Sequence, residues 1–451
     1  MSNFITRFAP SPTGLLHIGN ARTAIVAWLI IKSLDGKFIL RIDDTDQARS
    51  TKKYEDAIKS DLEWLGISWD ETFRQSERME LYLEAKNKLI ASGRLYPCYE
   101  SQEELDIKRK HLMKSGLPPI YDRAALKLTD KEKLQLERDG HRPHWRFLLN
   151  SEDIEWDDLV RGKMHFKAEN ITDPILFKED GSMTYTLASV VDDIEANITH
   201  IVRGEDHLTN SATHIQIFKA LGVRAIPQMA HLSLLTSKTG EISKRLGGFD
   251  IESLRNKGIE PMAINSFLAK IGTSDPIECY FELSDLVKSF DIRKFSKAPI
   301  NYDPADLEKF NSKAIHHMPF QKVSNTLKAL GMELAREKFW EAMHGNINTI
   351  LEAKLWYNVC YGNINKAETL DQDLIKIALE TLPHREEWDE TIWGMWLDKI
   401  KEKSSKRGKD LFLPLRVALT GEESGPEMKL LIAIMGREKV IDRLKYGIYN
   451  L

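Results

Sequence analysis

Short apolar segments alternate with amphipathic ones in the first part of the chain, and this alternation is typical of an α/β fold. Residues 4–8 and 37–42 are short and mostly apolar, which predicts two buried strands. Residues 54–65 place Ile58 and Leu62 at helical spacing among charged neighbours, which predicts an amphipathic helix. The order of these signals predicts the first half of a doubly wound sheet.

The pattern loosens between residues 75 and 180, where two charged stretches (103–114 and 130–138) have helical character. Regular signals then return and predict four elements: strands at 183–191, 200–202 and 229–235, and a helix at 210–221 with Asn210 as its N-cap. The looser region is therefore interpreted as an insertion between the two halves of the sheet.

Helical periodicity dominates from about residue 250 onward. The tryptophans of this part are interpreted as helix-bundle core and not as a base-stacking surface: Trp340, Trp356, Trp388, Trp393 and Trp396. The whole pattern predicts a multidomain α/β plus all-α chain with the following division: residues 1–75 and 182–240 as the halves of the α/β core, 76–181 as the insertion, 241–309 as a loop and helical region, and 310–451 as an all-helical domain.

Composition and charge exclude some classes of protein. The 451 residues include 64 basic and 68 acidic ones, so the net charge of −4 gives no argument for nucleic acid. The apolar run at residues 24–31 is far shorter than the ~20 residues of a membrane span, and we recognise no secretion signal. Cys98, Cys279 and Cys360 are widely separated, which argues against a disulfide framework. We expect a cytoplasmic protein without a membrane partner.

Residues 7–20, RFAPSPTGLLHIGN, predict the first half of a nucleotide site. Pro10, Pro12 and Gly14 end the predicted strand, and apolar positions after Asn20 predict a helix. A strand, a sharp loop and a helix start together present backbone N–H groups to an anionic ligand. His17 adds a hydrogen-bond donor at the same place.

A cationic loop after the last predicted strand supplies the second half. Residues 237–248 read SKTGEISKRLGG, in which glycines flank Lys244 and Arg245. With His17, these cations can neutralise charge on an α-phosphate while a carboxylate attacks it and pyrophosphate leaves. A similar sequence at residues 403–407, KSSKR, lies in the helical region and follows no predicted strand, so we interpret it as a solvated basic turn.

With these two segments in this order, the chain resembles the class I aminoacyl-tRNA synthetases, and specifically the bacterial glutamyl-tRNA synthetases. RFAPSPTGLLHIGNART resembles the HIGH region of that family, and ISKR within residues 241–245 resembles its KMSKS loop. Further segments follow the family pattern in the same order: LRIDDTDQARS (40–50), TYTLASVVDD (184–193), THIVRGEDH (199–207) and LFLPLRVALTG (411–421).

The resemblance implies ATP-dependent activation of L-glutamate to an adenylate and its transfer to the 3′ end of tRNA-Glu, with Mg²⁺ bound together with ATP. It implies a doubly wound, Rossmann-type catalytic core, an inserted acceptor-binding domain, a stem-contact region and a C-terminal helical anticodon-binding domain, at the borders given above. It also implies a monomer, and a tRNA that must bind before activation is productive.

Site residues follow from the resemblance position by position. The catalytic positions are His17, Asn20 and Lys244. The ATP-binding positions are Gly14, His17, Gly19, Asn20, Asp206, Leu234, Ser243, Lys244 and Arg245. The glutamate-binding positions are Arg7, Ala9, Ser11, Asp43, Tyr185, Ser189 and Arg203. The positions at the tRNA acceptor end are Thr45, Asp46 and Arg49.

The charge of some of these residues also has a simpler explanation, which involves no ligand. Arg7 lies in an apolar strand, where a guanidinium needs a partner, so we expect it to bind a substrate carboxylate and not to be an exposed strand-end charge. Arg203 binds substrate or pairs with the acidic residues that follow it. Asp46 and Arg49 contact the acceptor end or form only a surface ion pair.

The chain departs from the family pattern in both nucleotide motifs. Asn20 stands at the fourth HIGH position, where an amide can donate a hydrogen bond but cannot carry charge. Glu241 stands at the first KMSKS position and removes one cation. We therefore expect His17 and Lys244 to carry the polar chemistry.

Two further departures concern the amino-acid pocket and the insertion. Asp43 and Ser189 are shorter than the Glu and Asn usual at these positions, which allows a water-mediated contact to the substrate amino group. Some family members bind zinc in the insertion, but residues 96–100 (YPCYE) and 121–126 (YDRAAL) retain only Cys98. We predict no zinc site.

Two other functions remain open. One is a paralog that charges tRNA-Gln with glutamate for later amidation. The other is a non-catalytic tRNA-binding paralog, although the retained His17, Lys244, Arg7 and Arg203 argue against lost chemistry. A glutaminyl enzyme is disfavoured because that branch ends in β-barrels, and the short relative that modifies a tRNA base lacks an anticodon domain.

Overall fold

The structure, a computed structural model, describes residues 4–236, 249–364 and 371–449. The chain divides into two compact units, one formed by Met1–Leu254 with Ile264–Pro304 and the other by Arg255–Ala263 with Ala305–Leu451. All described strands belong to the first unit, and the described part of the second unit is helical. The predicted combination of an α/β core with an all-helical end is confirmed.

A seven-stranded sheet is the centre of the first unit. Its order is β3-β2-β1-β9-β10-β6-β7, and all neighbours are parallel except β6 and β7. An antiparallel sheet contains β4, β5 and β8, and β11 pairs with β12. The strands are β1 (Ile5–Phe8), β2 (Lys37–Ile42), β3 (Glu71–Arg74), β4 (Leu95–Cys98), β5 (His144–Phe147), β6 (Ile154–Asp158), β7 (Gly162–Phe166), β8 (Ile175–Phe177), β9 (His200–Gly204), β10 (Gln228–Leu232), β11 (Leu235–Thr236) and β12 (Ile300–Asn301).

The helices follow the predicted alternation in the first unit and account for the described part of the second. They are α1 (Ile18–Ser33), α2 (Lys52–Trp64), α3 (Met79–Ala91), α4 (Gln102–Lys114), α5 (Asp130–Arg138), α6 (Tyr185–Glu195), α7 (Leu208–Ala220), α8 (Ile251–Asn256), α9 (Pro261–Lys270), α10 (Leu283–Lys288), α11 (Pro304–His316), α12 (Phe320–Ala329), α13 (Glu337–Met343), α14 (Ala353–Tyr361), α15 (Gln372–Thr381), α16 (Thr391–Ser404), α17 (Lys409–Thr420) and α18 (Met428–Tyr449). Within the described ranges, no helix is both long and apolar enough to cross a membrane.

The helices nearest the predicted nucleotide site differ in their polarity. Helix α1 is apolar around nearly its whole circumference and is accordingly buried along most of its length. Helix α2 buries Ile58 and Leu62 and exposes its charged face, as predicted. It begins after Thr51, whose hydroxyl accepts a hydrogen bond from the Tyr54 amide.

The prediction of a strand at residues 183–191 is wrong, because most of this segment belongs to helix α6. Its Thr, Tyr and Val content favours a strand locally. However, the helix buries Leu187, Ala188, Val190 and Val191 in the core, and that burial overrides the local preference.

Two element ends also differ from the prediction. Helix α7 begins at Leu208, directly after a turn of 3₁₀ helix, so Asn210 lies inside the helix and is not its N-cap. Strand β10 ends at Leu232, because the next residues leave the central sheet and pair with β12 as β11.

The predicted insertion contributes to the central sheet. Strands β6 and β7 fall within residues 76–181, yet β6 pairs with β10 through Met229 and Asp158. The hairpin that these two strands form therefore completes the edge of the core sheet. The domain borders stay predictions.

The tryptophans of the helical unit lie mostly in its core. Trp340, Trp356 and Trp396 are buried, whereas Trp388 and Trp393 are partly exposed. The Trp340 indole N–H donates to the Met318 carbonyl oxygen at 2.6 Å, and that of Trp396 donates to an α15 carbonyl oxygen at 2.9 Å. The core interpretation is correct for these buried residues.

We predict that Gly272→Ala destabilises the first unit more than Gly93→Ala. Both glycines have a left-handed backbone, with φ of +76° and +67°, so the two variants share the strain of a positive φ. A Cβ at Gly272 would lie 2.2 Å from Cδ1 of the buried Ile300, whereas one at Gly93 meets nothing within 4 Å. The clash adds about 1–3 kcal/mol, measured as a lower midpoint of thermal unfolding. Equal midpoints would contradict the prediction.

Candidate active site

The strand order of the central sheet reverses between β1 and β9, where Thr6 pairs with His200. Ligands of doubly wound folds bind outside the carboxyl ends of the strands at such a switch point. Arg7 and Arg203 each precede the last residue of their strands, so both predicted substrate arginines lie at this edge. Both side chains are buried.

His17 starts helix α1. Its backbone is extended, and its Nδ1 accepts hydrogen bonds from the amides of Gly19 at 3.1 Å and Asn20 at 3.4 Å. A Cβ at Gly19 would lie 3.1 Å from the His17 ring, so glycine allows the ring to fold back over the first turn. Because Nδ1 accepts, the hydrogen of a neutral ring lies on Nε2, which can donate to a phosphate.

The described chain resumes beside His17 after the predicted cationic loop. The Ile18 amide donates to the Phe249 carbonyl oxygen at 2.7 Å, and the Ile251 amide donates to the Leu16 carbonyl oxygen at 2.9 Å. Ser243, Lys244 and Arg245, like the departure at Glu241, lie outside the described residues. Their roles stay predictions.

A buried ionic network links Arg7 to β2 and α6. Arg7 donates to both oxygens of Asp193, at 2.9 Å from Nε and 3.3 Å from Nη2. Arg41 donates to Asp193 at 2.8 Å and to both oxygens of Asp43, at 2.6 and 3.1 Å. It also donates to the Ser189 hydroxyl at 3.0 Å. The two shortened pocket residues, Asp43 and Ser189, are therefore joined through one guanidinium.

The network shifts the titration of its carboxyl groups in opposite directions. Burial raises the pKa of Asp43 to about 6, against the opposing effect of Arg41. Burial also acts to raise the pKa of Asp193, but Arg7 and Arg41 together hold it below its ordinary value. Asp193 is therefore the firmly ionised member that balances both arginines.

Arg203 has a different environment from Arg7. Its hydrogen-bond partners are Tyr185, His214, Ser211 and His231, at 2.5–3.5 Å, and none of them is a carboxylate. Within the described ranges, no carboxylate forms an ion pair with it. Such a buried cation is suited to receive a substrate carboxylate.

The acidic residues after Arg203 have other partners, which removes the simpler explanation of that arginine. Glu205 pairs with Arg161, and its other oxygen accepts from the Leu234 amide at 3.0 Å. Asp206 instead lies 3.7 Å from the His207 ring.

Gly204 brings two predicted ATP residues together. A Cβ there would lie 2.3 Å from Asp206 Oδ1 and 3.4 Å from Leu234 Cδ2. The Leu234 side chain and Asp206 are exposed. This part of the predicted ATP site is therefore contiguous.

The remaining predicted residues occupy the loops around this edge. The Asp43 amide donates to the Pro10 carbonyl oxygen at 3.0 Å, which ties the β2 end to the loop that contains Ala9 and Ser11. Gly14 of the same loop is partly exposed, and no atom lies within 4 Å of a Cβ added there.

The predicted acceptor-end residues follow β2. Asp46 and Arg49 form an exposed ion pair at 2.6 Å, as the simpler explanation requires, and Thr45 is partly exposed. Arg49 lowers the pKa of the Asp46 carboxyl through its hydrogen bond. Contact with tRNA stays a prediction.

The side chains in the region where some family members bind zinc form hydrogen bonds with each other. Cys98 is buried, and the Tyr121 hydroxyl donates to Glu100 at 2.7 Å. Among the described residues, no group of three metal-binding side chains is found. The no-zinc prediction stays a prediction.

Sequence reasoning missed Arg41 and Asp193, which hold the predicted pocket residues. Arg41 lies in the apolar strand KFILRI, so the argument applied to Arg7 could have found it. Asp193 comes two residues after the run TLASVV (186–191), just beyond the segment mistaken for a strand, so its inward direction on α6 was hidden.

Comparisons with known proteins agree with this geometry. Residues 3–309 match the family described as tRNA synthetases class I (E and Q), catalytic domain, and residues 346–448 match an anticodon binding domain. The chain therefore belongs to the class I tRNA synthetases, in the branch for glutamate and glutamine.

Several relatives of high similarity are glutamate–tRNA ligases. Glutamate–tRNA ligase 2 of Orientia tsutsugamushi is 48% identical over 443 residues, which covers 98% of each chain. Glutamate–tRNA ligase 1 of Maricaulis maris is 49% identical over 440 residues, with coverage of 97% of this chain and 98% of the relative. The predicted resemblance to bacterial glutamyl-tRNA synthetases is confirmed.

A solved structure supports the same conclusion over the whole length. The glutamate tRNA ligase of Elizabethkingia meningosepticum, in complex with its amino acid, has a TM-score of 0.82 and 26% identity, with full coverage of both chains. The enzyme of Elizabethkingia anophelis has a TM-score of 0.80 at 26% identity. As a class I synthetase, the protein uses ATP.

We predict that Asp193→Asn lowers the free energy of unfolding by about 3–5 kcal/mol, because two buried guanidinium groups lose their shared carboxylate. Urea unfolding followed by tryptophan fluorescence measures the effect. Asp46→Asn is the control, since its ion pair is exposed and contributes little. The prediction fails if both variants unfold at the same urea concentration.

Proposed function

We propose that the enzyme activates L-glutamate with ATP and attaches it to the 3′ end of tRNA-Glu. The family and the names of its relatives support this proposal. The observation that carries it in the structure is Arg203, a buried guanidinium without a carboxylate partner among the described residues. A buried cation favours a substrate carboxylate over the neutral amide of glutamine.

The proposed reaction has two steps. An α-carboxylate oxygen of glutamate attacks the α-phosphorus of ATP, a new P–O bond forms, and pyrophosphate leaves with the electrons of the broken bond. A ribose hydroxyl of the terminal tRNA nucleotide then attacks the carbonyl carbon, loses its proton, and displaces AMP. No protein nucleophile is required, so the enzyme contributes positioning and charge stabilisation.

The side chains have separate tasks in this proposal. Arg203 holds one carboxylate of glutamate, and Arg7, whose Nε and Nη2 already donate to Asp193, contacts the other through Nη1. Asp43 and Ser189 define the space for the amino group together with Arg41. The Nε2–H of His17 and the first turn of α1 stabilise the phosphates. The Leu234 and Asp206 pair borders the ATP site.

The finer partners belong to the same proposal. Lys244, with Ser243 and Arg245 in the predicted cationic loop, neutralises charge on the α-phosphate. Mg²⁺ enters with the ATP phosphates and supplies further charge neutralisation. Asp46 and Arg49 contact the acceptor end. We further propose a cytoplasmic monomer, with tRNA-Gln as the alternative acceptor.

ATP–pyrophosphate exchange with glutamate, with and without tRNA, tests the function. Exchange that requires glutamate and increases with tRNA supports it, and no exchange under either condition rejects it in favour of a non-catalytic paralog. Charging assays with separately purified tRNA-Glu and tRNA-Gln then decide between the two acceptors.

We predict that Lys244→Ala slows exchange by roughly 10²–10³-fold, because a cation at the α-phosphate is lost. Lys406→Ala is the matched control in the similar KSSKR turn. Lys406 already forms an ion pair with Asp371 in the helical unit, so its removal leaves the rate nearly unchanged. Equal losses in the two variants would contradict the choice of loop.

We predict that Arg203→Ala raises the KM for glutamate by roughly ten- to a hundredfold, because a charge-assisted hydrogen bond is lost. The KM for ATP should change little, since the described ATP-site residues do not depend on this guanidinium. An unchanged glutamate KM would remove Arg203 from the pocket.

A further inference from the structure

A chain of hydrogen bonds connects Arg203 to a buried carboxylate that it does not touch. Arg203 Nη2 lies 2.5 Å from the Ser211 hydroxyl, and that hydroxyl lies 2.6 Å from His231 Nε2. His231 Nδ1 lies 2.5 Å from Asp158 Oδ2. All four side chains are at least nine-tenths buried. Arg203 lies on β9, and Asp158 ends β6 at the other side of β10.

Every donor in this series of hydrogen bonds points towards Asp158, which is the acceptor at its end. Its Oδ1 accepts from the backbone amides of Val160 at 3.0 Å, Arg161 at 2.9 Å and His231 at 3.2 Å. Burial opposes ionisation, but the His231 ring and these amides keep the pKa of Asp158 below its ordinary value. An ionised carboxylate only accepts, so His231 Nδ1 carries the hydrogen.

The tautomer of His231 determines which group donates and which accepts in the remaining hydrogen bonds of this series. With the hydrogen on Nδ1, the ring presents a lone pair at Nε2 and accepts from the Ser211 hydroxyl. That hydroxyl lies closer to His231 Nε2, at 2.6 Å, than to its other acceptor, the His207 carbonyl oxygen, at 3.0 Å. The Ser211 oxygen then accepts from Arg203, and Arg203 Nε also points to His231 Nε2 at 3.4 Å. Burial and the nearby arginines lower the pKa of His231, so the ring stays neutral. A hydrogen on Nε2 would face the guanidinium N–H groups.

We propose that Asp158 and His231 are positioning residues for amino-acid recognition: through Ser211, they hold the Arg203 guanidinium in one orientation without forming an ion pair with it. A direct carboxylate partner would compete with the substrate for Arg203, whereas this arrangement orients the guanidinium through neutral groups. The inference rests on the proposed function, because it assumes that Arg203 binds a glutamate carboxylate.

The variant Asp158→Asn tests the direction of these hydrogen bonds with little change in the shape of the side chain. The Asn oxygen can still accept from the backbone amides, but its NH₂ group donates to His231 Nδ1 and moves the ring hydrogen to Nε2. We expect the KM for glutamate in ATP–pyrophosphate exchange to rise about tenfold or more, with the KM for ATP within about twofold of wild type.

Asp153→Asn is the matched control. Asp153 accepts from His165 at 2.9 Å on the same β-hairpin region, but this Asp–His pair is exposed and does not reach Arg203. It should leave both KM values unchanged.

A second pair of variants separates orientation from packing. His231→Gln retains one amide donor and one acceptor, whereas His231→Leu fills similar space without either. We expect the leucine variant to raise the glutamate KM more than the glutamine variant. Circular dichroism and the KM for ATP report whether each variant retains the fold.

The outcomes are distinct. A selective rise in the glutamate KM for Asp158→Asn, with partial recovery in His231→Gln relative to His231→Leu, supports the inference. Unchanged glutamate KM values, equal rises in both KM values, or identical glutamine and leucine variants overturn it. If the wild-type enzyme itself shows no glutamate-dependent exchange, the proposed function fails, which is a different result from failure of the variants.

Discussion

The burial of guanidinium groups at the carboxyl ends of β1, β2 and β9 is the constraint on which the first unit depends. A charge removed from water costs several kcal/mol unless nearby groups compensate it, so each arginine dictates what must surround it. Arg7 and Arg41 share Asp193, which fixes the direction of α6 against the sheet. Arg203 is surrounded by neutral donors and acceptors. At this edge, the charges of Arg7 and Arg41 are therefore balanced by Asp193, whereas Arg203 has no carboxylate partner among the described residues. A glutamate ligand carries the negative charge that balances Arg203.

The fold was predictable wherever local pattern and burial agree. Strand β2 and helix α5 have the predicted bounds, because a continuous apolar run and a capped charged helix are each recognisable without tertiary context. The segment at α6 was not predictable in this way, since its β-branched content favours one state and its packing selects another. Likewise, β6 pairs with β10, a strand far along the chain, and no local signal reports such a pairing.

The candidate site shows a similar division. Residues named by motif, such as His17 and Arg203, were found because glycines, prolines and isolated charges interrupt apolar segments there. Their supporting residues were missed, because Asp158 and His231 are ordinary polar residues in sequence and acquire meaning only when β6, β9 and β10 lie side by side. Lys244 lies outside the described residues, so its assignment rests on sequence and family membership alone.

The environment of Arg203 has a consequence for the way the enzyme is handled. A pocket that leaves a buried cation without a carboxylate partner is a receptor for any small anion that fits, and not for glutamate alone. Chloride, sulfate or acetate in a buffer would then act as competitors for the amino acid. The identity of the salt, and not only its ionic strength, thus becomes part of every affinity measured with this enzyme.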